Sequence, residues 1–261
     1  MSGAGGGGLR GRVALVTGAG KGRGIGTAIC RALAAAGADI AFTHRGALDE
    51  DDDGGVGGPS SLELELHARG TTVVAVEAEL REPGAARDVL EHVTGRLGRP
   101  SILVNNAAHS VPAGFATLDA RALDDHYAVN VRTPVLLACE LARGHALGTP
   151  GRIVNLVSGQ GLGPMPGELP YATTKGALET FTRQLAAEVA ALGITVNAVN
   201  PGPTDTGWMD EPTRRALRER FPTGRLGRAS DAARLVAWLC SDDADWVTGQ
   251  VIASEGGFLR G

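Results

Sequence analysis

VALVTGAGKGRGIGTAICRALAAAG, residues 13–37, reads as a strand, a glycine-rich turn and a helix in immediate succession. Val13–Thr17 is apolar at every position but the last and has no polar face, as a strand buried on both sides of a sheet requires. Downstream, Ile25, Ile29, Leu33 and Ala36 recur at helical spacing over Ile25–Ala36, and Gly37 supplies a stop. Between them lies TGAGKGRGIG, Thr17–Gly26. Glycines there permit a tight turn and close backbone approach, and the start of the following helix offers unpaired N–H groups to a pyrophosphate. A glycine loop in this strand–turn–helix setting predicts a dinucleotide-binding unit.

Working outward, apolar runs of strand length continue to alternate with helical patterns. The expected strands are Ile40–Thr43, Thr72–Val76, Ile102–Asn105, Ile153–Val157, Ile194–Asn200 and Val251–Ala253. Between them fall Ala85–Arg96, Ala120–Ala146, Ala172–Ala191 and Asp231–Ser241 as helical segments. Seven strands in this alternation imply one α/β domain of the Rossmann type, doubly wound, with a seven-stranded parallel sheet and helices on both faces. At 261 residues and 43% hydrophobic side chains, the chain is long enough for one sizeable core and short for two. The Gly-rich start is expected to be a disordered tail through residue 10, with the domain running from 11 to 261. Residues 46–61 carry the acidic run Asp49–Asp53 followed by GGVGGPSS and show no periodicity, so a solvated inserted loop is expected.

A formal net charge of −4 gives no basic field for nucleic acid or an anionic membrane surface. No apolar run reaches the roughly 20 residues that span a bilayer, and the first residues lack a secretory pattern. A cytoplasmic protein is the expectation. Cys30, Cys139 and Cys240 are scattered through apolar helical segments as core thiols would be, and the six histidines show no metal-ligand spacing. No metal is expected.

The end of the second strand usually separates NAD from NADP, because a carboxylate there accepts bonds from both ribose hydroxyls and repels a 2′-phosphate. Here that end is Thr43–His44–Arg45, and the nearest acid, Asp39, stands at the opposite edge of the sheet. Lys21, Arg23 and Arg45 could surround a 2′-phosphate, so NADP(H) rather than NAD(H) is expected.

Tyr171 and Lys175, in YATTK, share one helix face, where an ammonium would lower the phenol's pKa. Ser158, thirteen residues upstream at a strand end, could hydrogen-bond a reacting oxygen. In order, the glycine loop, NNAA at Asn105–Ala108, Asn130 in HYAVNVR, Ser158, YATTK and NPGPTDT at Asn200–Thr206 resemble the short-chain dehydrogenase/reductases, from about Arg12 to Phe258. Within that family the chain looks most like the 3-oxoacyl-acyl-carrier-protein reductases, including TGQVIASEGG at Thr248–Gly257. The resemblance implies that Tyr171 exchanges a proton with a carbonyl or alcohol oxygen while Ser158 orients it. It further implies that Lys175 holds the nicotinamide ribose and that Asn130 supports a water in the proton chain. By the same resemblance Gly18, Lys21, Arg23, Gly24, Ile25, Gly26, Arg45, Glu79, Leu80, Asn106, Ala107, Pro201, Gly202, Thr204 and Thr206 would contact the cofactor, together with Tyr171 and Lys175. A small carbonyl or alcohol substrate follows, an acyl thioester among the candidates, and the family's usual homotetramer. Residues 203–224, with Trp208 and Met209, would form a substrate-side lid.

Three departures stand out. The glycine loop is two residues longer than the family's TGxxxGxG, Glu79 replaces a more usual Asp, and NNAA replaces NNAG. Enoyl reductases also alter the loop but space their tyrosine and lysine further apart, so YxxxK favours carbonyl chemistry. The rivals are an alcohol oxidiser, a ketone or quinone reductase of secondary metabolism, and a nucleotide-sensing protein without turnover.

Overall fold

Strand pairing in the computed structural model, which describes residues 8–46 and 58–259, runs β3-β2-β1-β4-β5-β6-β7 with every pair parallel. The strands are β1 (Val13–Val16), β2 (Asp39–His44), β3 (Val73–Glu77), β4 (Ile102–Asn105), β5 (Gly151–Leu156), β6 (Ile194–Asn200) and β7 (Val251–Ala253). The helices are α1 (Ile25–Ala35), α2 (Pro59–Ala68), α3 (Ala85–Leu97), α4 (Ala120–Tyr127), α5 (Thr133–Arg143), α6 (Leu169–Val189), α7 (Glu211–Glu219) and α8 (Ala229–Cys240). This is the doubly wound sheet expected from the alternation.

Side chains of β1 explain why its run is apolar throughout. Ala14 and Val16 enter one core with Ile29 and Leu33 of α1, Leu62 and Leu66 of α2, and Val236 and Leu239 of α8. Val13 and Leu15 enter the other, against Val89 and Val93 of α3, Leu137 and Leu141 of α5, and Leu185 and Val189 of α6. Successive residues of a strand point to opposite faces, so a strand covered by helices on both sides has no position left for a polar residue. The connections reverse between β1 and β4, which opens a crevice at the C-terminal ends of those strands.

Four sequence expectations need correction. Residues 8–10 do not belong to a tail: Leu9 is 1% exposed in the first core, and its N–H donates to Ala36 O at 2.7 Å. The acidic run 49–53 lies outside the described residues, but the expected loop ends early because α2 starts at Pro59. Proline suits a first helical position, where its missing N–H costs nothing. The single helix expected over Ala120–Ala146 is two, joined by a π-helical turn at Ala128–Arg132. Pro134 has no N–H to return to Asn130 O, so an unbroken α-helical ladder is impossible there. Finally, α7 was missed within residues 203–224, since it buries none of its residues and so writes no apolar stripe. Its N-cap is orthodox, with Asp210 accepting from Thr213 N at 2.9 Å and a proline following in the first turn.

Candidate active site

At the crevice, a cleft of about 360 Å³ runs over the start of α1 and the ends of β1, β2 and β4. Gly18, Lys21, Gly24, Ile25, Gly26, Arg45, Glu79, Leu80, Asn106, Ala107 and Thr206 of the expected cofactor set line it, joined by Thr43, His44, Arg81 and His109. Gly18 has φ +68°, and a Cβ there would come within 2.6 Å of Ala107 Cα; on Gly26 a Cβ would meet Gly18 O at 2.5 Å. Only glycine fits either position. Three threonines that the motif reading passed over brace the loop. Thr43 Oγ1 accepts from Gly18 N at 3.0 Å, Thr27 Oγ1 from Gly20 N at 3.1 Å, and Thr17 Oγ1 from both Asn106 N (3.0 Å) and Ala107 N (3.1 Å). A lone polar residue closing an apolar strand, as Thr17 and Thr43 do, was the available signal.

Four of the expected cofactor residues, Arg23, Pro201, Gly202 and Thr204, do not line this cleft. Arg23 is exposed and lines a separate groove between α1 and α8 with Arg31 and Arg228. Its positive field reaches Asp205, whose pKa is held low despite an opposing burial effect, chiefly by the hydrogen bond from Arg214. Pro201, Gly202 and Thr204 form the turn after β6 and do not line the cleft. Gly202 has φ +62°, and a Cβ there would come within 2.5 Å of Glu255. The Thr204 hydroxyl donates back to Pro201 O and Gly202 O, both at 3.2 Å. Glu79 is tied to Arg81 at 2.9 Å, a bond that holds its carboxyl below the usual range, and the Arg45 field lowers it further.

Ser158, just beyond β5, lies close enough to the Tyr171 hydroxyl at the start of α6 to lower its pKa. One helical turn on, Lys175 is 3% exposed, donates to Leu156 O at 2.7 Å, and lies 5.5 Å from the centroid of the Tyr171 ring. Asn130, in the π turn, is wholly buried. Its amide donates to His109 O (2.9 Å) and Thr174 Oγ1 (3.0 Å), and its Oδ1 accepts from His109 N (2.7 Å). Thr174 Oγ1 in turn donates to Tyr171 O at 2.9 Å. The four expected catalytic residues therefore form one cluster, linked to the cleft through the contact of Asn130 with His109. Their electrostatics differ from expectation, however. Burial pushes the Tyr171 phenol up to about 12, with the Glu168 carboxylate adding to the rise and Ser158 opposing it. Burial also brings Lys175 down to about 8. Desolvation outweighs the expected help from the ammonium, and Tyr171 holds its proton through the neutral range.

His109 opens the loop 109–115, one of the segments in which substrate selectivity is expected to reside. Its ring packs edge-on against His126 at 4.6 Å, and burial followed by the His126 field lowers its pKa. His126 Nε2 accepts from Val111 N (3.1 Å) while Nδ1 faces Ala122 O (2.6 Å), so the proton sits on Nδ1. Trp208 is 64% exposed, whereas Met209 is buried in a small cluster with Phe221 and Leu226. Thus Trp208, not Met209, is open to a ligand.

A glycine-braced dinucleotide crevice ending in a Ser–Tyr–Lys cluster defines a hydride-transferring oxidoreductase. The chain belongs to the short-chain dehydrogenase/reductase family of NAD(P)-dependent oxidoreductases. A family model described as enoyl-(acyl carrier protein) reductase matches residues 18–259. The chain is 50% identical over 252 residues to the uncharacterized oxidoreductase YjdA of Bacillus subtilis, covering 96% of this chain and 98% of that protein. It is 36% identical over 252 residues to the 3-oxoacyl-acyl-carrier-protein reductase FabG of Pseudomonas aeruginosa, covering 95% and 98%. Among solved structures, a blue fluorescent protein from a metagenomic library in complex with NADPH is similar with a TM-score of 0.85. The sequences there are 35% identical and cover 97% of this chain and 99% of that one.

Burial of Lys175 has a measurable consequence. Its folded pKa is about 8 against the usual 10.5. Below 8 both folded and unfolded chains carry the proton, and the buried charge costs stability. Between 8 and 10.5 the unfolded chain binds more protons, so this cost fades as pH rises. Lys175→Met is expected to melt roughly 5 °C above wild type near neutral pH, the difference closing towards pH 10.5. A lower melting temperature at neutral pH would mean that the bond to Leu156 O outweighs the burial.

Proposed function

We propose that this protein is an NADPH-dependent carbonyl reductase acting on a small molecule. The observation that carries the reading is the protonated Tyr171 hydroxyl beside Ser158, with the buried Lys175 one helical turn on. Two hydroxyl groups converging on one point suit a carbonyl oxygen, to which Tyr171 gives a proton and Ser158 a second hydrogen bond. Lys175, charged below about 8 and 5.5 Å from the ring centroid, stabilises the phenolate left behind. With its phenol held near 12, Tyr171 enters the reaction protonated, the form that carbonyl reduction uses.

The cleft fits NADP(H), which supplies the hydride when bound. Its close-packed glycines let backbone approach a pyrophosphate, Lys21 and Arg45 line the cleft and offer cations to a 2′-phosphate, and no carboxylate ends β2. The acid on the far wall, Glu79, is already neutralised by Arg81. The NADPH complex of the similar solved structure supports the same choice. The FabG relative and the Thr248–Gly257 segment support trying a 3-oxoacyl thioester among the carbonyls. The free thiols Cys30 and Cys240, both buried, suit a reducing cytoplasm. Exposed Leu123, Tyr127, Leu136 and Leu169 on α4, α5 and α6 offer apolar area for pairing copies, in keeping with a homotetramer.

Oxidation of NADPH is expected with at least one of a 3-oxoacyl thioester, ketones and quinones, and Tyr171→Phe should lower kcat by about 10²–10⁴. Activity untouched by that substitution would sink the assignment. Arg45→Ala should raise KM for NADPH about tenfold and leave KM for NADH nearly as it was; equal effects on both cofactors would remove Arg45 from the 2′-phosphate. Light scattering should give the mass of four copies, and a single-copy mass at micromolar concentration would exclude the tetramer.

A further inference from the structure

We infer that the substrate carries hydroxyl groups beside its carbonyl and that Gln160 and Glu168 recognise them, a reading that rests on the carbonyl-reductase function above. Ser158 and Tyr171 are the two ends of one loop. Within it, Gln160 Nε2, Gln160 Oε1 and Glu168 Oε2 are buried with no hydrogen-bond partner. They make up three of the five such side-chain atoms among the described residues, so the deficit is concentrated at the catalytic pair. Native interiors hold few orphaned polar atoms because each is costly, and a ligand is one way to satisfy them.

Local roles do not account for these groups. Glu168 occupies the N-cap of α6 but makes no side-chain cap bond. Its backbone is fully used, with N–H to Met165 O at 3.2 Å and its carbonyl accepting from Ala172 N at 2.8 Å. In the first turn, Leu169 N–H already donates to Ala113 O at 3.1 Å, and Pro170 has none to give. Glu168 Oε2 is thus left over, three residues before Tyr171 in the chain. Gln160 sits in the single turn Gly159–Gly161 that follows Ser158. His109, which lines the cofactor cleft and has its pKa lowered, adds a neutral ring with one donor and one acceptor.

Chemistry narrows the ligand. An ionised carboxylate only accepts, so the group facing Glu168 must donate; an amide both donates and accepts. A hydroxyl satisfies either. Plain alkanones and 3-oxoacyl thioesters offer no O–H next to the reacting carbonyl. Meanwhile the apolar side chains of the same loops, Val111, Phe115, Leu162 and Met165, are exposed while the polar atoms are buried.

The test measures kcat/KM of the purified full-length protein with NADPH for matched pairs: dihydroxyacetone against acetone and erythrulose against butanone, with an acetoacetyl thioester alongside. Hydroxylated members should be preferred by about 100-fold or more, because a site built around hydroxyls leaves its polar groups unpaired with the deoxy analogue. Glu168→Gln and Gln160→Leu should each cut that ratio about tenfold, mainly through KM, while melting temperature and NADPH affinity show that both variants are folded. Equal or better turnover of the deoxy ketones or the thioester, or a ratio unmoved in both variants, overturns the inference and leaves the carbonyl-reductase reading standing. Failure to reduce any carbonyl overturns both.

Discussion

Where the winding of the sheet reverses, the hydroxyl of Thr17 accepts two backbone N–H groups from the chain leaving β4, those of Asn106 and Ala107. Without it, two donors at the crevice would lack a protein partner, since the strand ladder has ended. Asn106 returns the connection through Nδ2, which donates to Thr17 O at 2.9 Å and Gly18 O at 2.8 Å. The two loops that wall the cleft are therefore stitched in both directions. That stitch draws Ala107 against Gly18 so tightly that a single added carbon would collide. The narrow approach, not flexibility, is what the glycines of this loop serve.

The other half of the site depends on a fault in a helix. Because Pro134 cannot donate to Asn130 O, the chain widens into a π turn, and Asn130 becomes a buried hub between the loop at His109 and the helix at Thr174. Thr174 passes the constraint to the carbonyl of Tyr171. A helix defect, an amide and a hydroxyl thus fix the register of α6 against the loop after β4. In that register Lys175 reaches Leu156 O while being almost wholly removed from water. The same desolvation keeps the phenol protonated and weakens the ammonium's hold on its own proton.

In the segment after β6 the packing is thinner. Residues after β6 turn through Gly202, whose close contact with Glu255 ties the loop to the segment after β7, and Asn200 Nδ2 donates to Glu255 Oε2 at 2.9 Å. Met209, Phe221 and Leu226 form a cluster of their own, closed by Phe258 from the chain end, with Arg220 lying over its ring at 4.7 Å. Helix α7 adds no buried residue. A segment anchored at its ends and loosely packed between them can vary in sequence without disturbing the cofactor cleft.

The strands and both helical faces were legible because their determinants are local: Val13–Val16 must be apolar at each step to enter two cores, and Ile25, Ile29 and Leu33 must fall on one stripe. Tyr171, Lys175 and Ser158 were legible because one strand end and one helix turn suffice to present them. What needed the folded chain was every property set by neighbours distant in sequence. Leu9 and α2 join the core through contacts that no nearby pattern encodes, and Thr17 and Thr43 gain meaning only beside Asn106 and Gly18. The pKa order of Tyr171 and Lys175 reversed the sequence expectation because attraction between neighbours can be read from spacing, whereas desolvation depends on everything packed around them. For the same reason the unpartnered atoms of Gln160 and Glu168 are invisible in sequence: a missing hydrogen bond is a fact about surroundings, and only the tertiary structure supplies them.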